Sequence, residues 1–449
     1  MVVIITTFMT AFLGSALNIA VPSMGSDLGI SAASTGWIIS VYALVTSALS
    51  VPFGKVADST SRRSIFLTGL LTMTVGSLLA SVCGSFAAVM AMRILQSIGA
   101  SMIFATNTAT IVSNYPPAQK GKAIGMMTAG TYTGLSSGPV LGGIINHCLG
   151  WHGIFLLAGL VSLCALILGY IFLPRNRQTA ASGTGDIAGG ILFIAMITLM
   201  MTGFSSAGTG AMAWLLLGAG AMLAVLFTAI EKRAANPLID VRIFRRNPAY
   251  TLSNLAALFN YCATFGISYF MSIFLQTDMG LSSQRAGLIL LCQPLVMALV
   301  SPRMGALSDR IAPWKLATAG MAVCGSCLVC FSFVRHGIPL ALLVTLLLIT
   351  GLGVSIFSSP NMNAIMSCVD RSHFGIASSI LATMRTLGQT SSMCIITIII
   401  HARLKNLPLQ SASTQQLEGT MHLSFLLLAA ICFTGMIMSM QRRRNTRND

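Results

Sequence analysis

The sequence predicts an all-α polytopic membrane protein of fourteen transmembrane helices, built as two six-helix bundles with two further helices inserted between them. Three observations lead there. Of the 449 residues, 55% are hydrophobic and only 8% are charged, whereas soluble globular chains carry about 25% charged residues. Apolar runs of the roughly 20 residues that a spanning helix needs recur from one end of the chain to the other, and the mean hydropathy is +0.83. A charged loop in the first half, FGKVADSTSRRSIF at 53–66, has a counterpart in the second, RMGALSDRIAPWK at 303–315.

The first run, 2–22, lacks the basic leader of a secretory signal and is read as a retained span. Further spans are predicted at 34–54, 64–84, 88–112, 122–146, 151–173, 186–205, 211–231, 250–276, 284–302, 314–334, 338–362, 374–400 and 420–440. With the chain starting inside, one set of loops and ends holds 20 of the 26 Lys and Arg, and the other holds four, Arg285, Arg335, Arg403 and Lys405. Basic residues of short membrane loops collect on the cytoplasmic side. Both termini are therefore expected in the cytoplasm, in a multi-pass protein of the plasma membrane. The same distribution accounts for the net charge of +16 without a nucleic-acid partner. The two remaining cations, Arg93 and Arg385, fall inside spans.

The two charged loops share a pattern: Gly54 precedes Asp58 by four residues, as Gly305 precedes Asp309. Each follows the second span of a six-span unit, which points to duplicated halves of the kind found in transporters. The predicted division is an N-terminal bundle over 1–175, a middle section over 176–249 with the two extra spans, and a C-terminal bundle over 250–449. The linker PRNRQTAASGTGD is flexible in composition. The basic, amphipathic EKRAANPLIDVRIFRRN is expected to lie along the cytoplasmic interface.

Four motifs follow one another. GKVADSTSRR sets Gly54, Asp58, Arg62 and Arg63; LNIAVPSMGSDLG at 17–29 carries Asn18 and Asp27; RILQSIGAS at 93–101 sets Gln96 three residues after Arg93; GTYTGLSSGPVLGG at 130–143 carries Gly134, Gly138, Pro139, Gly142 and Gly143. In this order, with fourteen spans, they resemble the signatures of the major facilitator superfamily and, within it, the 14-helix drug:H+ antiporter branch. The resemblance covers nearly the whole chain. It implies the major facilitator fold, multidrug-type efflux by H+ antiport and alternating access, Arg93 as a candidate for the proton relay, and a bend of the fifth-span motif at the interface between half-bundles.

The residues carry their own physical reading. An acid adds nothing to positive-inside orientation, but Asp58 can accept hydrogen bonds from helix N-terminal amides or pair with an Arg. Gly54, Asp58, Arg62 and Asp309 are thus candidates for a conformational latch between the half-bundles. A mid-span cation costs about 2.5 to 3.5 kcal/mol on insertion scales, so Arg93 needs a partner; Gln96 and Asn107 are candidates, and a tie to backbone carbonyls is the alternative to a relay. Gly130, Gly134 and Gly138 share a helix face and permit close packing, while Pro139 weakens the helix after them. In the second half Arg385 shares a face with Gln389, Asn254 shares one with Tyr261, and Asn361 and Asn363 follow Pro360. With Asn18, Gln96 and Asn107, these polar groups at membrane depth are the candidates for the substrate path.

All ten acids fall in loops or at span ends. A cavity holding buried cations and no carboxylate disfavours cationic ligands, so neutral or anionic substrates are expected. Proton coupling then falls to Asp27 and Asp278 near the outer face or to Asp58, alongside Arg93. The 27 methionines suit a broad apolar pocket. The run CGSCLVC spreads its three thiols over about 200° of a helix, so no metal is expected. No phosphate loop, cofactor motif or catalytic constellation is present, and an enzyme is not expected. The implied partners are a small-molecule substrate, protons and the lipid bilayer, acting on a monomer. The runner-up reading is a uniporter or importer of a small metabolite on the same fold.

Overall fold

The computed structural model describes residues 1–30, 32–174, 186–206, 210–234, 236–404 and 414–445. The linker expected over 175–185 lies outside the described residues, and so do Lys405 and Arg447. The elements are α1 (Val2–Asp27), α2 (Ala32–Ser59), α3 (Arg62–Ala80), α4 (Phe86–Asn114), α5 (Lys120–Phe172), α6 (Ile187–Ser205), α7 (Ala211–Glu231), α8 (Arg242–Arg246), α9 (Pro248–Thr277), α10 (Ser283–Leu290), α11 (Cys292–Ser308), α12 (Pro313–Ser332), α13 (Leu340–Ser367), α14 (Phe374–Leu404) and α15 (Thr414–Asn445).

Twelve helical stretches among the described residues are long and apolar enough to cross a membrane, α10 and α11 counting as one. One of the twelve, α5, is two spans run together: Gly150, at φ 68° and ψ 179°, breaks it where a residue with a Cβ would be strained. The fourteenth span is α14, whose 31 residues include Arg385 and Gln389. Local chemistry sets the helix starts. Ser61, Ser85 and Asn247 accept the amides of Ser64, Ala88 and Tyr250, capping α3, α4 and α9, and Pro248 stands at the first turn of α9.

In the first bundle α1 lies along the first part of α5, and α3 packs on α4 and α5; in the second, α12 packs on α13 and α15, and α9 on α14 and α15. Without water to drive association, close contact depends on small residues and ring packing. Phe425 packs against Phe270 and Phe331 at centroid distances of 5.4 and 5.6 Å. The bundles meet along two seams, α2 with α14 and α5 with α11.

The inserted helices cover the first of these seams. Phe193, Met196, Ile197 and Met201 of α6 pack with Ala48 and Val51 of α2 and with Ile376 and Ile380 of α14. In the segment after α7, expected along the cytoplasmic interface, Leu238 and Ile239 are buried in the same cluster, and Arg242–Arg246 is helical. Its apolar residues find a crevice between helices and pack there.

Candidate functional site

The loop ends carrying the basic residues, called here the basic end, hold the two bundles together through two acids. Asp58, on the last turn of α2, accepts the amide of Gly375 on Oδ1 and that of Ile376 on Oδ2, both at 2.9 Å. These are orphan donors at the N-terminus of α14, where the helix dipole favours negative charge. Arg62 donates to Asp58 Oδ1 through Nη2 and Nε at 2.7 and 3.0 Å, and its Nη2 also reaches the carbonyl of Arg371. Arg62 therefore bridges the halves rather than serving topology alone. Gly54 makes the approach possible: a Cβ there would lie 2.8 Å from the carbonyl oxygen of Gly375.

The second half repeats the arrangement. Asp309 accepts the amides of Gly121 and Lys122, at the start of α5, at 2.7 and 3.0 Å. Gly125 and Gly305 face each other, and a Cβ on Gly305 would sit 2.8 Å from the Cα of Gly125. Asn363, expected on the substrate path, lies at this junction: its Nδ2 donates to Ser308 Oγ at 2.9 Å, beside Asp309. Each half thus contributes an acid that caps a helix of the other. Thr108, bonded to the sulfur of Met362, and Ser378, bonded to the carbonyl of Phe104 at 2.9 Å, add contacts across the halves.

Arg93 is sealed inside the first bundle at 2% exposure. Its Nε donates to the carbonyl of Ile38 at 2.9 Å and its Nη1 to Gln96 Oε1 at 2.8 Å, and the guanidinium carbon lies 4.6 Å from the centre of the Tyr42 ring. Gln96 passes on a hydrogen bond to Ser77 Oγ at 3.1 Å. Gln96 is therefore a partner of Arg93 within the bundle. Asn107 is not a partner of Arg93: it is buried further along α4, with both amide atoms lacking a hydrogen bond among the described residues.

Arg385 is differently placed. It is half-buried, stands over Tyr261 with 5.3 Å from guanidinium carbon to ring centre, and has no ion pair with a carboxylate among the described residues. The hydroxyls of Tyr261, on α9, and Tyr132, on α5 of the other half, both lie 3.4 Å from Ser358 Oγ on α13. Arg385 and Tyr132 are 11 and 12 residues from the starts of their helices, about 17 and 18 Å deep at 1.5 Å per residue. Both therefore lie well inside their helices, in stretches of the length that spans a hydrocarbon core about 30 Å thick. Gln389, one turn along α14, is also half-buried. Tyr132 and Ser358 escaped the sequence reading; Tyr132 is the one aromatic residue in GTYTGLSSGPVLGG, which was the available signal.

The glycine stripe of that motif faces α1 of its own bundle. A Cβ on Gly134 would meet the backbone of Phe8, one on Gly138 the side chain of Ser15, and one on Gly142 the Cβ of Ala16, while Gly143 has nothing within 4 Å. The helix runs through Pro139 and breaks at Gly150, and the contact with the other half is made by Gly121 and Gly125 nearer its start. At the end remote from the basic loops, Asp27 accepts Trp151 Nε1 at 3.0 Å and Asp278 pairs with His336 Nδ1 at 3.1 Å. Asn18 is exposed on α1. Asn254 donates to the carbonyl of Tyr250 in its own helix, and Asn361 to that of Ser253, tying α13 to α9. Both are buried within the second bundle.

Comparison with known proteins agrees with this architecture. The chain is 30% identical to the riboflavin transporter RibZ of Clostridioides difficile (strain 630), over 99% of this chain and 97% of that one. It is 26% identical to the multidrug efflux pump LfrA of Mycolicibacterium smegmatis, over 83% and 74% of the two chains. It is 25% identical to the tetracenomycin C resistance and export protein of Streptomyces glaucescens, over 90% and 75%. The fold is shared with the human organic anion transporter MFSD10 (TETRAN), at a TM-score of 0.66 and 13% identity over 98% and 96% of the chains. The family model described as Major Facilitator Superfamily matches residues 3–393 and 253–448. Two capped bundles, fourteen spans and this match make the chain a membrane transporter, not an enzyme: it belongs to the major facilitator superfamily.

Proposed function

We propose that the protein exports small planar or amphiphilic molecules, neutral or anionic, by alternating access coupled to inward proton movement, as a monomer in the plasma membrane with its basic end in the cytoplasm. The observation that supports this reading best is Arg385. Well inside its helix, it stands between the halves with no carboxylate partner among the described residues, flanked by Tyr132, Tyr261 and Ser358. Two aromatic faces, two phenol hydroxyls and a guanidinium suit a flat heterocycle with acceptor oxygens. The guanidinium repels a lipophilic cation. Gln389 is the nearest further polar group on the same face. Asp58 and Asp309, with Gly54 and Arg62, serve as the latch of the closed inner end, and the candidate carboxyls for proton coupling are Asp27 and Asp278.

The likeness to efflux proteins supports export, and the likeness to a riboflavin transporter supports a planar metabolite as cargo, which keeps a metabolite uniporter or importer as the second reading. One experiment separates the readings. Purified protein in liposomes, with and without an imposed pH gradient, is offered riboflavin, an anionic fluorescent amphiphile and a cationic dye. The proposed exporter moves the first two against their gradients only when protons run the other way, and Arg385→Ala abolishes this. Equal movement without a pH gradient establishes a uniporter, and robust transport of the cationic dye rejects the cavity assignment.

A further inference from the structure

We propose that Glu231 and Asp186 form a proton-binding site at the foot of the inserted helices, one proton held between two carboxyl groups, away from the central cavity. Glu231 is the last residue of α7 and is 2% exposed. Its Oε2 accepts the amide of Ile239 at 3.2 Å, while its Oε1 has no hydrogen-bond partner among the described residues. A buried carboxylate oxygen left unpaired is costly. Asp186 caps α6, its Oδ1 accepting the amide of Gly189 at 2.7 Å. The other oxygen of Asp186 is turned to the orphan oxygen of Glu231 across Gly189. A Cβ on Gly189 would lie 2.6 Å from Asp186 Oδ2 and closer still to Glu231 Oε1. The two oxygens are therefore at most twice 2.6 Å apart, 5.2 Å.

Charge counting gives the occupant. The charged groups whose fields reach Glu231 are Asp186 and Lys55; Lys55 comes from α2, with its Nζ 2.8 Å from the carbonyl of Pro237. The remaining charges nearby are turned elsewhere: Lys232 and Arg233 are exposed, Arg242 donates to the carbonyl of Lys232, and Asp240 accepts the amide of Arg242. Two carboxylates against one ammonium leave an unbalanced negative charge, half of it on the buried Glu231 and the rest on the partly exposed Asp186. One added proton leaves the site neutral and gives the orphan oxygen a partner, as in other close carboxyl pairs. Losing that proton sets Glu231 against Asp186 and leaves the amide of Ile239, whose side chain is packed on the α2/α14 seam, as the group that holds the ionised carboxylate.

The test is a pH-dependent infrared difference spectrum of the purified protein in lipid, in which a protonated carboxyl is separated from carboxylates. The wild type shows a protonated carboxyl at neutral pH, lost on alkalinisation by about tenfold for each pH unit past its midpoint. Glu231→Gln removes the band. Asp186→Asn also removes it at neutral pH, because Glu231 then faces Lys55 alone and ionises, and Lys55→Met makes the band persist to higher pH. A wild-type spectrum with no protonated carboxyl at neutral pH, or a band that Glu231→Gln leaves unchanged, overturns the proposal. The wild-type spectrum decides even where a variant fails to fold.

Discussion

Asp58 and Gly375 stand 317 residues apart in sequence, yet the carboxylate of the first accepts the amide of the second at 2.9 Å. The bond joins an acid at the end of α2 to the first turn of a helix in the other half, with Arg62 held in the same network. A hydrogen bond to a charged group is worth about 1.5 to 3 kcal/mol. Asp58→Asn, which keeps the shape and removes the charge, is expected to shift the balance between closed and open basic ends by about ten- to a hundredfold toward open, since 1.4 kcal/mol is a factor of ten. Spin labels on Thr60 and His373 report the separation; an unchanged distance distribution refutes the latch.

Gly54 and Gly305 predict a steric version of the same effect. A Cβ on either falls 2.8 Å from backbone of the opposite half. Gly54→Val and Gly305→Val should yield folded protein, because the clash vanishes when the halves separate, but protein trapped open at the basic end and unable to turn over. The same spin-label distances, together with transport rates, check this.

Arg93 and Arg385 are expected to fail in opposite ways. Arg93→Lys keeps the charge but cannot satisfy both Ile38 and Gln96 with one fixed fork. Loss of a buried bond of this kind costs about 1 to 3 kcal/mol, so thermal stability should fall while substrate preference stays. Arg385→Ala should leave the melting temperature nearly unchanged and remove discrimination between anionic and cationic probes. Melting curves and the liposome assay measure the two; a stable Arg93→Lys protein with altered selectivity reverses the assignment.

Gly134 and Gly143 form an internal control within one motif. Gly134→Ala places a methyl group against the backbone of Phe8 and should destabilise the α1–α5 pair by about 1 to 3 kcal/mol. Gly143→Ala enters open space and should be close to neutral. Thermal unfolding in detergent compares them, and equal effects contradict the packing described.

The spans, the basic end and the pairing of the two charged loops were legible because each is written in local composition: runs of about 20 apolar residues, clustered Lys and Arg, and a Gly four residues before an Asp twice over. Asp58 and Asp309 stood out for the same reason, being acids where orientation needs only bases. Their partners were not legible, because a helix amide has no side-chain signature and the donor lies 317 residues away in one case and 188 in the other.

The sequence by itself determined a polytopic helical transporter with duplicated halves, two inserted spans and a charge-poor interior. Only the tertiary structure decided what each polar group meets. It put Asn363 beside Asp309, turned the glycine stripe of α5 toward α1, closed Arg93 inside one bundle, and left Arg385 between two. The physical reason is that helix periodicity fixes which residues share a face. Which neighbour that face meets depends on how whole helices cross, and small residues hundreds of positions apart set those crossings.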